Sequence, residues 1–114
     1  MKKKITIAID AMGGDNSPYK TVKGVGLFLS KNKSKNDFII NLFGDEKKIR
    51  DELIKNKIES NSLIITHTNS VVSDDETPLT AIKNSKNTSM WNCIKSQIDG
   101  DSNISLSAGN TGVL

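Results

Sequence analysis

Ile5-Thr6-Ile7-Ala8-Ile9-Asp10-Ala11-Met12-Gly13-Gly14-Asp15-Asn16-Ser17-Pro18 decides how this chain folds. Its first five residues alternate large apolar with small side chains and are rich in β-branched types, which predicts a strand ending at Asp10. Ala11 to Ser17 is a glycine-bearing loop. Ser17 before Pro18 predicts a helix start, a capping hydroxyl followed by proline at the first helical position. That helix should run to about Ser30 with Val22, Val25, Phe28 and Leu29 as its apolar stripe. A strand, a glycine loop and a helix in succession open an α/β unit.

The rest of the chain repeats the alternation. Phe38 to Phe43 is a nearly all-apolar strand closed by Gly44, and Asp45 should cap a helix from Glu46 to about Lys57 with Ile49, Leu53 and Ile54 inward. Leu63 to His67 reads as a third strand. Asp74-Asp75-Glu76-Thr77-Pro78 opens another helix, its acids placed where the dipole favours them. A further helix covers about Thr88 to Ile98, with Met90, Trp91, Ile94 and Ile98 on one face, and Asn103 to Ser107 forms the last strand. Strands apolar on both faces that alternate with helices predict a three-layer α/β sandwich with a mostly parallel sheet. Ligand groups are then expected at the carboxyl ends of the strands.

Composition removes several function classes. Of the 16 basic residues, three are Lys2, Lys3 and Lys4; without them basic and acidic residues both number 13, so no basic face is implied. Only Tyr19, Phe28, Phe38, Phe43 and Trp91 are aromatic. Both facts argue against nucleic-acid binding. Cys93 is the single cysteine, which leaves no disulfide framework within one chain and fits a reducing cytoplasm. The apolar stretch after the lysines runs only from Ile5 to Ile9, too short for a signal core or a membrane span. A cytoplasmic protein is expected, at most peripheral to a membrane.

Two loops at strand ends carry the candidate chemistry. Asp10, Gly13, Gly14 and Asp15 combine acids and glycines that shape a turn and can hold a water or a basic group, although the same residues suit a plain tight turn. In Ser107-Ala108-Gly109-Asn110-Thr111-Gly112, glycines three apart ahead of a predicted helix suit a small-anion cradle of backbone N–H groups; a plain strand-to-helix turn is the alternative. The loop lacks the Gly-Lys-Ser/Thr of a Walker loop and the leading Gly-x-Gly of a dinucleotide site. Elsewhere, His67 reads as a solvated strand-end residue, Cys93 as a small packed one, and Asp74 to Glu76 as dipole complements and not metal ligands. Lys83 and Lys86, three apart, share a helix face that is either solvated or anion-facing.

Taken together, Ile7 to Asp15, Thr77-Pro78 through Ala81-Ile82-Lys83, Ser89-Met90 and Ser107 to Gly112 resemble, in order, the bacterial phosphate acyltransferase family of fatty acid and phospholipid synthesis. The blocks span almost the whole chain. The resemblance implies a fold related to isocitrate dehydrogenases and phosphotransacetylases, usually homodimeric, with no metal or organic cofactor. It implies formation of acyl phosphate from acyl-acyl carrier protein and inorganic phosphate, the product passing to a membrane-bound glycerol-3-phosphate acyltransferase.

Residue by residue, the resemblance places Asp10, Gly13, Gly14 and Asp15 in the cleft, where the charges of Lys83 and Lys86 make those lysines candidate neutralising groups for phosphate on chemical grounds. It makes Ser107, Gly109, Asn110, Thr111 and Gly112 the candidate phosphate contacts, and leaves the catalytic residues unassigned. Lys83 departs from the family's frequent arginine, which keeps the charge but loses the bidentate fork. Thr88 departs from a usual serine. Family members continue well past residue 114, so residues 1–114 are expected to be the amino-terminal part of one α/β domain. Such a piece is expected to be inactive alone or dependent on a complementary chain. Two other readings stay open: a non-catalytic anion-binding or assembly module, and a phosphotransacetylase-like enzyme using coenzyme A thioesters.

Overall fold

Strand β1 (Ile5–Asp10) pairs in parallel with β2 (Phe38–Gly44), residue for residue from Ile5 opposite Phe38 to Asp10 opposite Phe43. The computed structural model describes residues 4–13, 17–32, 37–68 and 88–107. Within them β3 (Leu63–His67) pairs in parallel with β2, and β4 (Ile104–Leu106) in parallel with β1. The sheet order is β3-β2-β1-β4. All described strand pairs are parallel, as expected of strands that alternate with helices.

Partners in a parallel ladder face the same side, so register sorts the side chains into two layers. Ile9, Phe38, Ile40, Leu42, Leu63 and Ile65 point to one face. There they meet Val22, Val25 and Leu29 of α1 (Tyr19–Lys31) and Ile49 and Leu53 of α2 (Glu46–Lys55) in the main core. Leu42 and Ile49 are fully buried at its centre, each worth about 1.5–3 kcal/mol of transfer free energy. The opposite face carries Ala8 and Phe43, covered by Cys93 of α3 (Ser89–Ile98). Helices on both faces of one sheet make the three-layer α/β arrangement.

Strands are added in one direction from β1 to β3, and the chain then returns to the far side of β1 as β4. The reversal lies between β1 and β4. In open α/β sheets the crevice outside the carboxyl ends of the strands at such a reversal is where ligands bind.

Three expectations are corrected. Ser17 does not cap α1: Pro18 occupies the cap position with no side-chain bond, and the Ser17 hydroxyl donates to the Gly13 carbonyl, closing the loop. Ile54 is 75% exposed, because it lies well around the helix from Ile49 and Leu53, which share the buried face at four-residue spacing. In α3 the buried face is Ser89, Met90 and Cys93, whereas Trp91 is 41% and Ile98 78% exposed. The helix is rotated from its bulky stripe because its small residues let it sit close to Ala8. The helix expected from Asp74 lies outside the described residues.

Helices α2 and α3 finish alike. After α2 the Lys57 N–H bonds to the Ile54 carbonyl at 3.1 Å and the Ile58 N–H to the Leu53 carbonyl at 2.9 Å. After α3 the Gly100 N–H bonds to Gln97 at 3.1 Å and the Asp101 N–H to Ser96 at 2.8 Å. This paired pattern needs a left-handed residue just past the helix. Gly100 supplies it at φ 83° and Lys57 at φ 55°.

Candidate functional site at the β1–β4 reversal

Asp10 is the last residue of β1 and is only 3% exposed. Strand alternation turns its carboxyl to the α3 side of the sheet. Oδ1 accepts the Met12 N–H at 3.0 Å and the Ser89 hydroxyl, and Oδ2 accepts the Ser107 hydroxyl at 2.7 Å. A carboxylate has no proton to give, so both hydroxyls must donate. Asp10 thus joins its own loop, the first turn of α3 and the exit of β4.

Each partner is placed by local structure. Thr88 caps α3, its Oγ1 accepting the Trp91 N–H at 3.0 Å, which sets Ser89 as the first helical residue facing the sheet. Ser107 follows β4, whose register with β1 puts Leu106 opposite Ile9 and so brings Ser107 level with Asp10. The Met12 side chain lies over Gly44, where an added Cβ would come within 2.6 Å of its Cγ. The missing side chain at Gly44 therefore lets the Asp10 loop settle over the end of β2.

Of the sequence candidates, the structure brings Asp10 and Ser107 into direct contact and leaves Gly13 on the same loop. Gly14, Asp15, Lys83, Lys86, Gly109, Asn110, Thr111 and Gly112 lie outside the described residues. Ser89 is the participant that sequence reading left without a role. The available signal was a second hydroxyl directly after a helix-capping threonine, a residue type with little reason to be buried unless it has a partner.

Cys93 is fully buried beside the same carboxylate, its thiol 3.7 Å from the Leu106 carbonyl. Burial foremost, and then the Asp10 charge, push the thiol up to about 12, which suits a packed residue and not a nucleophile. His67 ends β3, two strands away from β1. Its Nδ1 accepts the Glu46 N–H at 3.1 Å, so it helps close the start of α2. An open cavity of about 650 Å³ lies at the opposite, amino end of the strands, between the last turn of α1 and the 56–62 loop. Helix carboxyl termini carry the negative dipole end, so that cleft is unsuited to an anion. Among the described residues no cluster of three or more His, Cys, Asp or Glu side chains is grouped to hold a metal ion. No described helix is long and apolar enough to cross a membrane.

Comparison with known proteins bears on the same residues. A family model described as "Fatty acid synthesis protein" matches residues 5–114. A protein named phosphate acyltransferase from Pelagibacter ubique (strain HTCC1062) is 43% identical over 114 residues, which is 100% of this chain and 33% of that protein. A protein of the same name from Streptococcus pneumoniae (strain Hungary19A-6) is 43% identical over 108 residues, 95% of this chain and 31% of that protein. The chain therefore spans about a third of the length of these curated relatives.

Proposed function

The chain belongs to the fatty acid synthesis protein family, and on that premise we propose that it takes part in forming acyl phosphate from acyl-acyl carrier protein and inorganic phosphate. The observation that carries the reading is the Asp10–Ser107 bond, which ties the two loops singled out in the sequence together at the sheet's reversal. Relatives named phosphate acyltransferase supply the reaction class.

In the proposed step, hydrogenphosphate held at the Ser107–Gly112 segment attacks the thioester carbonyl. A carbon–oxygen bond forms, the carbon–sulfur bond breaks, and the phosphate proton is released to the departing carrier thiolate. Phosphate is itself a competent nucleophile near neutral pH, so the protein's task is orientation and charge stabilisation. Backbone N–H groups of the Ser107–Gly112 segment, with Lys83 and Lys86, are the proposed anion contacts. Asp10, Gly13, Gly14 and Asp15 are the proposed cleft residues beside it.

Residues 1–114 are read as the amino-terminal part of one α/β domain. Because the relatives are about three times as long, the reading includes dependence of turnover on further residues, in the same polypeptide or a complementary one. A homodimeric assembly and delivery of acyl phosphate to a membrane glycerol-3-phosphate acyltransferase complete the proposal, with the protein in the cytoplasm or peripheral to the membrane.

The test supplies acyl-acyl carrier protein and radiolabelled phosphate to the purified chain, alone and with a protein carrying the remaining family residues, and measures radiolabelled acyl phosphate. Product in the combined reaction with a carrier-protein thioester is expected. Preference for coenzyme A thioesters would replace this reading with the phosphotransacetylase-like one. Phosphate binding without product in either mixture would favour a non-catalytic module.

A further inference from the structure

We propose that the sheet face spanning β1 and β4, on the side of α1 and α2, seats an aliphatic-faced helix from the part of the family fold outside residues 1–114. The inference rests on the reading above that turnover needs further family residues, and it names where on this chain they dock. Register puts Ile104 beside Ile7 and Leu106 beside Ile9, all four on the face that carries α1 and α2. Over β2 and β3 those helices bury that face, but Ile104 is 45% and Leu106 52% exposed. β4 packs instead on α3, from the other side.

The side-chain order within β4 identifies the face suited to burial. Ser105 is turned toward α3, its hydroxyl bonded to the Gln97 side-chain oxygen at 2.6 Å, while both bulky aliphatics point to the uncovered face. A face built for water has the opposite alternation, since a change of phase by one residue exchanges the two sets. Ile7 and Ile9 extend the strip along β1, so its four side chains are all aliphatic.

Handedness and size select the occupant. Helices α1 and α2 connect strands added in one direction and lie on one face; α3 precedes the strand added in the opposite direction and lies on the other. That is the constant hand of parallel crossovers, so a strand added beyond β4 would bring its own helix to the α3 face. The strip therefore needs a helix that reaches it from elsewhere in the fold, because parallel sheets are covered by helices on both faces. The relatives are about three times as long as this chain, which leaves ample sequence for such a helix. A second copy is the poorer occupant: four partly exposed side chains fall far short of the about 800 Å² per partner of a stable interface.

The test mixes the 114-residue chain with a protein carrying the remaining family residues and reads association by isothermal titration calorimetry, without substrate, so that absence of turnover cannot mask it. Leu106→Lys should weaken association about tenfold, since its charge would be pressed against aliphatic side chains, with Tm unchanged. Ile64→Lys, at a similarly exposed aliphatic position on the opposite face, should leave association unchanged. Equal effects at both positions, or none at Leu106, would overturn the inference while leaving the need for further residues standing. Failure of the native chain to associate would overturn that reading and this inference together. A native chain that is itself dimeric, and that Leu106→Lys makes monomeric, would give the strip to a second copy and overturn the inference. Should Leu106→Lys not fold, Leu106→Cys decides, Cys93 being buried. Its alkylation by iodoacetamide should slow about tenfold on adding the complementary protein, and an unchanged rate refutes the docking site.

Discussion

The Ser107 hydroxyl reaches the Asp10 carboxylate across 2.7 Å, and that bond closes the sheet where its order of strand addition reverses. Ser89 holds the other carboxylate oxygen from the start of α3. One acidic side chain therefore links a strand end, a strand exit and a helix start. Backbone pairing alone could not fix all three, because β4 contributes only Ile104–Leu106 to the ladder.

Removing this acceptor should be costly for stability. Asp10→Ala removes the acceptor shared by the buried Ser89 hydroxyl and the half-buried Ser107 hydroxyl and Met12 N–H, and the loss of these three bonds should cost about 3 kcal/mol in total. Ser107→Ala deletes one half-buried hydroxyl and should cost about 1 kcal/mol. Urea unfolding of the two variants measures the difference. Equal, small losses would show that the carboxylate does not organise the three segments.

The ends of α2 and α3 predict a stabilising change. Both use the same two carbonyl-capping bonds, but Lys57 holds at φ 55° the position that glycine holds after α3. A side chain in the left-handed region is strained, so Lys57→Gly should raise stability by about 0.5–1 kcal/mol. Gly100→Ala, at φ 83°, should lower it by about 1 kcal/mol. Thermal melts of the pair check the argument, and a destabilised Lys57→Gly would contradict it.

Elements whose signals are local were legible in the sequence. The alternation in Ile5 to Asp10, the apolar run from Phe38 and the Asp45 cap each depend on neighbours within a few positions, and each stands as read. Orientation was harder. Reading α3 by its bulky residues grouped Trp91 and Ile98 on one face with Met90, yet the sheet accepts Ser89 and Cys93, because a hydroxyl can reach Asp10 and a small thiol fits over Ala8. Sequence named Asp10 and Ser107 as candidates without their contact, which spans 97 positions and exists only once β4 lies beside β1. His67 looked merely solvated for the same reason, since its partner Glu46 belongs to another element.

That last contact yields a further prediction. The start of α2 is closed by Asp45, whose Oδ1 accepts the Lys48 N–H at 3.2 Å, and by His67, whose Nδ1 accepts the Glu46 N–H. Asp45→Ala should cost about 1 kcal/mol, and His67→Ala about half as much because that group is exposed. Since the two cap different N–H groups of one helix, their losses should add or reinforce. A double variant no weaker than Asp45→Ala in chemical denaturation would show that His67 contributes nothing to the cap.

Cys93 gives a pH dependence with a defined sign. Its thiol titrates near 9.0 when unperturbed and is raised to about 12 in the fold by burial first and the Asp10 charge after it. Between those values the unfolded chain releases a proton that the folded chain retains. The stabilisation is therefore complete below pH 9.0 and is lost as pH climbs toward 12. Lysines titrate over part of the same range, so the informative quantity is the difference between the native chain and Cys93→Ala, which lacks the thiol but keeps every lysine. The native chain should lose stability more steeply than Cys93→Ala above pH 9.0, and identical slopes would contradict the burial argument. At pH 8 the thiolate fraction should be roughly a thousandfold lower in the folded than in the unfolded chain, so alkylation should await unfolding. Rapid modification of the folded chain by iodoacetamide would instead place Cys93 in a more open, anion-stabilising setting.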